Sequence, residues 1–456
     1  MSILAAFMVP HPPMIVPQIG RGSEEQVLDT IRAYEQVAGQ IAALKPETIL
    51  ITSPHATMYA DYFHVSPGRQ ASGSFSDFGV PSITFHETYD EEIVRRIERL
   101  ASEWHVEAGT LGERERRLDH GTMVPLWFIR QRYTDFKIVR IGLSGLALAD
   151  HYKLGMLIRE VVEATGRRAV FVASGDLSHK LQEYGPYGFA QEGPQYDARI
   201  MDVCARAAFG EMLDFDETFC EKAAECGHRS FVIMAGALDA QAVEAQVLSH
   251  EDVTGVGYGV CTFYPKGPDE NRHFLDLYLK KWSNNMTEDA YVKLAKRSLE
   301  SYILRGETIR VPEDLPAEMF QQRAGAFVSI HKFGKLRGCI GTILPTTDCV
   351  AEEIIENAIS ASTRDPRFSP IEAEELPFLE INVDVLSEPE DIDSMDELDV
   401  KRYGVIVSCG GRRGLLLPDL DGVDTVEEQV MIAMQKGGIR QGEKISLQRF
   451  EVIRHI

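Results

Sequence analysis

The segment "AVFVASGDLSH", residues 169–179, decides how the first half of the chain folds. It begins with an uninterrupted apolar run, which is typical of a strand buried on both faces of a sheet. The residues before it, 151–166, and after it, 195–210, place their apolar side chains at helical spacing. The segment therefore predicts a strand that lies between two helices and is followed by the polar residues Asp176 and His179.

The same alternation of strand and helix continues on both sides of this segment. Further strands are predicted for residues 2–9, 47–55, 136–143 and 256–265, and further helices for residues 24–44 and 230–241. Strands that alternate with helices need crossover connections, which favour parallel pairing. We predict an α/β N-terminal domain with a mostly parallel sheet covered by helices on both faces.

A second domain is predicted where polarity rises after residue 265. A chain of 456 residues exceeds the usual size of one domain, about 50 to 250 residues. We expect the first domain in residues 1–265, a linker in 266–285 and the second domain in 286–456. Thr287 and the acidic residues after it are start signals for its first helix. The strands and two helices beyond predict a smaller α+β domain with an antiparallel or mixed sheet.

Charge and composition exclude several classes of partner. The chain has 47 basic and 70 acidic residues, a net charge of -23, which repels the phosphates of nucleic acids. It has no apolar run of eighteen residues, and its N-terminal segment lacks the features of a secretory signal. The seven cysteines form no CxxC pair, as expected for reduced thiols. We expect a cytoplasmic protein without nucleic-acid or membrane partners.

Three histidines follow predicted strands: His11, His55 and His179. The carboxyl ends of parallel strands meet at one edge of a sheet, where ligands bind. Prolines beside His11 and His55 restrict the backbone and stiffen both side chains. Each histidine taken alone fits better a loop residue with a hydrogen-bonded ring, but their common placement predicts a shared metal or catalytic site.

A third metal ligand is expected in "AAECGHRS", residues 223–230, which offers Glu225, Cys226 and His228. In a helix, neighbouring side chains diverge by about 100°, so Glu225 and Cys226 do not point at the same ion. A carboxylate completes the two-histidine triad of non-haem Fe(II), whereas a thiolate favours softer metals. Cys226 also fits a small buried apolar residue. Both candidates stay open at this stage.

Acid–base chemistry is predicted for Asp176 and His179, because a carboxylate three residues from an imidazole can orient and charge-stabilise it. Asp176 equally fits the cap of a following helix. In "LDHGTMVPLWF", residues 118–128, His120 precedes an apolar helix and is a candidate for a substrate contact.

The second domain offers a candidate groove for an anion or polar substrate. "GKLRGCIGTILP" places Arg337 and Cys339 among glycines, and "STRDPRFSP" supplies Arg364, Asp365 and Arg367. Guanidinium groups bind planar anions, but the same set also fits an internal ion-pair network. No base is evident beside Cys339, which argues against a nucleophilic role.

The motifs "VPHPP", "SPHA", "LDHGTMVPL" and "SGDLSH", in this order, resemble the class III extradiol dioxygenases of the LigB type and their Memo-like branch over residues 1–265. The resemblance implies that His11 and His55 bind non-haem Fe(II), that a later glutamate completes the triad, and that His179 does acid–base work. It also implies an activity, in which dioxygen opens the ring of a catechol next to one of its two hydroxyl groups. "ECGHRS" resembles the Memo-like cysteine motif as much as the dioxygenase glutamate.

The motifs "LRGCIG", "RDPRF" and "GLLLP" resemble the AMMECR domain over residues 286–456. Fused to a Memo-like domain, it resembles the two small components of the AmmeMemoRadiSam system, which implies a radical SAM partner. The chain has no CxxxCxxC cluster motif of its own.

The leading hypothesis from sequence is therefore a metal-dependent oxidoreductase of the class III extradiol type, acting on a small phenolic or catecholic molecule. Fe(II) is the expected divalent metal, with zinc or copper as alternatives. Two competing hypotheses are a non-catalytic metal-binding or redox accessory of a radical SAM protein, and a metal-assisted hydrolase in which an open Zn²⁺ site activates water.

Overall fold

The computed structural model describes residues 3–112, 117–284, 289–420 and 422–456. The chain divides into two compact units, Met1–Lys280 and Lys281–Ile456. Thr287, predicted to start the first helix of the second domain, lies outside the described residues. None of the described helices has the length and hydropathy needed to cross a membrane.

The first unit alternates strands and helices along its length. Its strands are β1 (Ile3–Val9), β2 (Thr48–Ser53), β3 (Phe63–His64), β4 (Gln70–Phe75), β5 (Val80–Thr88), β6 (Ala108–Gly109), β7 (Lys137–Gly142), β8 (Ala169–Ser174), β9 (Gln241–Glu251) and β10 (Tyr258–Pro268). Its helices are α1 (Pro17–Gly20), α2 (Leu28–Leu44), α3 (Glu91–Glu103), α4 (His120–Arg130), α5 (Leu148–Thr165), α6 (Glu192–Arg206), α7 (Glu217–Ala223) and α8 (His228–Ala237), and α9 (Phe274–Asn284) crosses the unit boundary.

The central sheet of this unit has the strand order β7-β2-β8-β1-β10-β9. The first four strands pair in parallel, and β10 and β9 add an antiparallel pair beside β1. The sheet is therefore mixed, with a parallel half that matches the prediction. All side chains of β2 and β8 are buried, which explains their apolar sequences. Helices α2 and α4 pack together, as do α5 and α8.

The order β2-β8-β1 places the carboxyl ends of three strands side by side. In the ladder, Val9 pairs with Ser174, and Thr52 pairs with Ala173. The polar segments that follow these strands therefore start at one edge of the sheet. This arrangement is the one expected for the three strand-end histidines.

The segment predicted as a linker, residues 266–285, has regular structure as far as Asn284. Strand β10 continues to Pro268, and a 3-10 turn, Glu270–Arg272, leads into α9. The Phe274 N–H donates to the Asp239 carboxylate at 3.0 Å, and Arg272 donates to the Ala207 carbonyl at 2.7 Å. These bonds attach the polar segment to the rest of the first unit, which could not be predicted from the composition of the segment.

The second unit is an antiparallel sheet with helices packed on it. Its helices are α10 (Ala290–Arg305), α11 (Ala317–Gln321), α12 (Val350–Thr363) and α13 (Val426–Lys436), and its strands are β11 (Ala326–Lys332), β12 (Lys335–Gly341), β13 (Leu379–Leu386), β14 (Glu390–Ile392), β15 (Tyr403–Cys409), β16 (Arg412–Leu416) and β17 (Ser446–His455). The strand order is β12-β11-β13-β17-β15-β16, with β14 paired to β17. At the described start of α10, Asp289 accepts from the N–H groups of Tyr291 and Val292.

A buried carboxylate holds one loop of the second unit. Glu353 on α12 is 1% exposed and accepts bonds from the hydroxyl of Thr342 and from the backbone N–H groups and hydroxyls of Thr346 and Thr347. Burial alone would raise the pKa of Glu353, but the hydrogen bonds to its ionised form outweigh this and lower the pKa. The ionised carboxylate therefore stabilises the folded unit.

We predict that Glu353→Ala lowers the free energy of unfolding of the second unit by roughly 2 to 4 kcal/mol, because five hydrogen bonds to a buried carboxylate are lost. Since the pKa is lowered on folding, this contribution is present above the unfolded pKa and is lost as pH falls through the folded pKa. Hydrogen exchange of peptides from this unit, followed at increasing denaturant concentration, measures its free energy of unfolding in the full chain. The exposed Glu356→Ala is the matched control, and an equal effect of both variants would contradict the prediction.

Candidate functional site

His11 lies at the end of β1 with its ring orientation set by Ser174. The Ser174 hydroxyl donates to the Gly121 carbonyl at 2.6 Å, so its oxygen accepts a hydrogen bond from His11 Nδ1–H at 3.0 Å. His11 Nε2 is therefore left unprotonated. The residue is 2% exposed, and its backbone N–H donates to the Asp176 carboxylate at 2.8 Å. The end of the neighbouring strand β8 thus holds His11 in position through both bonds.

His55, which follows β2, faces His11 directly. The two Nε2 atoms are 3.0 Å apart. The backbone N–H of His55 donates to Ser53 Oγ at 3.2 Å, and the Ser53 hydroxyl donates to Asp119 at 2.5 Å. Unlike His11, His55 is exposed to solvent. The site is therefore rigid on its inner side and open on its outer side.

His120 is the first residue of α4 and lies against the other two rings. Its ring centroid is 4.0 Å from that of His55 and 5.4 Å from that of His11. The preceding Asp119 caps α4 through the N–H of Thr122 at 2.9 Å. His120 thus borders the site at contact distance from His55, and its substrate contact stays a prediction.

Cys226 reaches this cluster, whereas Glu225 turns away from it. Cys226 Sγ is 3.7 Å from His11 Nε2 and accepts the N–H of Asp176 at 3.3 Å. Glu225 instead accepts the N–H of His228 at 2.6 Å, at the start of α8. His228 is buried and bonded to the Met212 carbonyl at 3.0 Å, away from the cluster.

Two glycines allow this approach of Cys226 to the strand ends. A Cβ on Gly175 would collide with the backbone of Gly227, and a Cβ on Gly227 would collide with the Phe231 ring. The loop after β8 and the loop before α8 therefore touch through their backbones. The Gly227 N–H donates to the Asp176 carbonyl at 3.1 Å and fixes this contact.

Asp176 and His179 lie beside the same thiol. His179 Nδ1 is 2.6 Å from the Ala224 carbonyl, to which it donates, and its Nε2 faces Asp176 at 4.0 Å. No helix begins within the described residues that directly follow Asp176, so the helix-cap alternative for this residue is wrong. Its carboxylate receives the His11 N–H instead. The pair has the geometry of an imidazole base with a carboxylate beside its free nitrogen.

Burial sets the protonation of the cluster. It lowers the pKa of His11 well below its ordinary value, with the His55 and His120 charges acting in the same direction. Partial loss of hydration inside the cluster lowers the pKa of His120, and also that of His55, whose ring is shielded on its inner side although the residue is exposed on its outer side. Burial raises the pKa of the Cys226 thiol and of the Asp176 carboxyl. Neutral imidazoles, which are the form that binds metals, are therefore favoured.

The donor atoms of His11, His55 and Cys226 lie within 4.8 Å of one another, as do those of Asp176, His179 and Cys226. Nitrogen ligands at 2.0 to 2.1 Å from one tetrahedral ion are about 3.3 Å apart, close to the observed separation of the two Nε2 atoms. Unprotonated His11 Nε2 and the adjacent sulfur fit a divalent or soft metal ion. A His/His/Cys metal site is thus consistent with the described residues.

The candidate groove residues of the second unit are bonded mainly to protein groups. Arg337 pairs with Glu375 at 2.8 Å. Asp365 is buried, pairs with Arg367 at 2.7 Å and accepts the N–H of Cys339 at 2.9 Å. This pattern is the internal ion-pair network that the sequence left open.

Arg364 lies exposed at the C-terminal end of α12 and takes no part in these pairs. A separate cleft of about 630 Å³ has Arg323, Arg412 and Arg413 in its wall but none of the five predicted groove residues. The groove therefore stays a prediction.

Two residues at the histidine cluster are not among the site residues predicted from the sequence. Ser174 ends the buried strand β8, and its polarity at the end of an apolar run was the available signal. Tyr187 packs edge-to-face on His179 with ring centroids 5.1 Å apart, and nothing in its local sequence marked it.

Comparisons with known proteins agree with this division of the chain. Residues 5–261 match the family described as the catalytic LigB subunit of aromatic ring-opening dioxygenase, and residues 292–455 match AMMECR1. Protein CA_C1420 of Clostridium acetobutylicum is 40% identical over 466 residues, covering 100% of this chain and 99% of its own length. A Thermotoga maritima protein is 52% identical over 170 residues, 37% of this chain and 98% of its own.

Two crystal structures of uncharacterized proteins are also similar to parts of the chain. PH0010 from Pyrococcus horikoshii has 31% identity and a TM-score of 0.34, covering 37% of this chain and 92% of its own. JW3007 from Escherichia coli K12 has 16% identity and a TM-score of 0.40, covering 57% and 99%. By the family match and the full-length Clostridium relative, the chain belongs to the LigB family, with the class III extradiol dioxygenase-like fold, and carries an AMMECR1 domain.

Proposed function

We propose that the first unit is a metal-dependent oxidoreductase of the class III extradiol type, acting on a small catecholic or phenolic molecule in the cytoplasm. The observation that carries the proposal is the convergence of His11 Nε2 and His55 Nε2 at 3.0 Å, with Cys226 Sγ 3.7 Å from His11 Nε2. His11, His55 and Cys226 would hold a divalent metal, with Fe(II) the first candidate and zinc or copper as alternatives. The family match supports this chemistry.

Cys226 is proposed over Glu225 as the third ligand because of where their side chains point. Glu225 is engaged by the backbone of α8, and turning it toward His11 would leave the His228 N–H without its acceptor. Cys226 already lies beside His11. The cost of an unsatisfied buried donor, about 1 to 3 kcal/mol, disfavours the carboxylate.

When bound, the metal would supply Lewis-acid activation of a substrate hydroxyl and electron transfer to dioxygen. His179 is proposed as the base, since its Nδ1–H is held by Ala224 and its Nε2 is free to accept a proton from that hydroxyl. Asp176, 4.0 Å away, then faces the protonated imidazole and stabilises its charge. The exposed side of His55 leaves a path for substrate, with His120 beside it.

A second candidate function is supported by the thiol itself. Two imidazoles and a thiolate suit Cu(I) or Zn²⁺ as well as iron. The protein would then be a metal-binding or redox accessory that serves a radical SAM partner, and the second unit would contribute a docking face. This candidate predicts metal retention and association with that partner, without consumption of catechols. Bound zinc together with hydrolytic activity would instead favour the metal-assisted hydrolase.

We predict that His11→Ala and His55→Ala each reduce bound metal to about one tenth of the unaltered protein or less, because each removes one of three ligands. Anaerobic purification followed by elemental analysis measures this. The exposed His86→Ala is the control and is expected to keep its metal. Unchanged metal content in both site variants would contradict the proposed site.

We predict that Cys226→Ser loses the sulfur-to-metal charge-transfer band of the cobalt-substituted protein, whereas Glu225→Gln keeps it. The glutamine oxygen still accepts the His228 N–H, so α8 remains capped. Near-ultraviolet absorption of the cobalt form measures the band. Metal loss in Glu225→Gln with retention in Cys226→Ser would instead identify the carboxylate as the third ligand.

We predict that His179→Ala lowers catechol consumption by the iron-loaded protein about 10²- to 10⁴-fold while bound iron is retained, because it removes the base and no metal ligand. Oxygen uptake with a panel of catechols gives the rates, and anaerobic incubations show whether catechol consumption requires dioxygen. Loss of iron in this variant would show that His179 is a ligand. Iron binding without any catechol consumption by the unaltered protein would favour the accessory function.

A further inference from the structure

Exposed aromatic side chains are concentrated in one loop next to the metal cluster. In the described part of the chain, four aromatic side chains are exposed, and three of them belong to residues 181–189, the aromatic loop. They are Tyr184, Tyr187 and Phe189, with exposed fractions of 74%, 61% and 52%. Apolar surface that is grouped in this way marks binding sites more often than isolated exposed residues do.

The aromatic loop has an ordered structure of its own. Leu181 and Phe189 form an antiparallel bridge at its base, and the Ala190 N–H donates to the Lys180 carbonyl at 3.1 Å. At its tip, Gly185 contacts Gly255 through the backbone. The Tyr184 hydroxyl donates to the Val253 carbonyl at 3.3 Å. The three rings are thus presented to solvent by a braced backbone.

Tyr187 connects this loop to the proposed base. Its ring lies 5.1 Å from that of His179 at an interplanar angle of 89°, while most of the side chain stays in solvent. On the side of the other histidines, half-buried Phe78 contacts His120 in a similar way, at 5.5 Å and 72°. His120 and His179 are therefore each in contact with an aromatic ring, that of Phe78 and that of Tyr187.

We propose that Tyr187 is a specificity-determining residue that contacts the ring of a planar aromatic substrate, with the aromatic loop as the apolar mouth of the site. This inference rests on the proposed function, because it assumes that the substrate binds at the cluster through its oxygens. Aromatic pairs gain energy beyond the burial of their area, and Tyr187 has a free surface next to the proposed base. The loop thus selects for ring-bearing ligands over other oxygen chelators.

The experiment compares two probes on the anaerobic, iron-loaded full chain. 4-Nitrocatechol is a chromophoric chelator with a ring, and acetohydroxamate is an oxygen chelator without one. Tyr187→Ala is expected to weaken 4-nitrocatechol binding about 3- to 10-fold and acetohydroxamate binding less than about 2-fold. Tyr187→Phe, which keeps the ring, should bind both as the unaltered protein does. Phe320→Ala, which removes the exposed aromatic side chain of the second unit, is the matched control.

The outcomes separate this inference from the proposed function. Equal 4-nitrocatechol binding by Tyr187→Ala and the unaltered protein overturns the inference alone. Equal weakening of both probes also overturns it, because the variant would then have damaged the metal site rather than a ring contact. Failure of the unaltered protein to bind iron or 4-nitrocatechol overturns the proposed function, and the inference with it.

Discussion

The candidate site depends on the parallel pairing of three neighbouring strands, β2, β8 and β1. In a parallel ladder the carboxyl ends of paired strands lie at the same edge, and the register sets Val9 beside Ser174. Residues that follow the strands by a few positions then meet, although the chain separates His11 from Asp176 by 165 positions. The strand pairing therefore brings these residues together, and the loops have only to keep their side chains in place.

Burial then decides the chemical state of the groups that meet there. His11 is enclosed, so its neutral form is favoured, and the Ser174 hydroxyl selects the tautomer with a free Nε2. The same enclosure disfavours the thiolate of Cys226 unless a cation is beside it. Binding of the proposed metal would therefore be linked to deprotonation of the thiol, since the ion would supply the charge that the protein interior lacks.

Much of the fold could be predicted because buried parallel strands have continuous apolar sequences, as β2 and β8 do. Strand β9 was missed since most of its side chains are only partly buried or exposed, so its sequence has no such run. The polar composition of residues 266–285 predicts a linker, whereas their attachment to the first unit depends on bonds to Asp239 and Ala207. Side-chain polarity does not report contacts of this kind.

By itself, the sequence determined that His11, His55 and His179 follow strands, because the apolar run that precedes each histidine is a local property. It also determined the two-part organisation that the LigB and AMMECR1 matches share. Only the tertiary structure decided which of Glu225 and Cys226 faces His11. Adjacent side chains point in different directions, and which one faces His11 depends on the backbone contact between Gly175 and Gly227, two residues that the sequence separates by 52 positions.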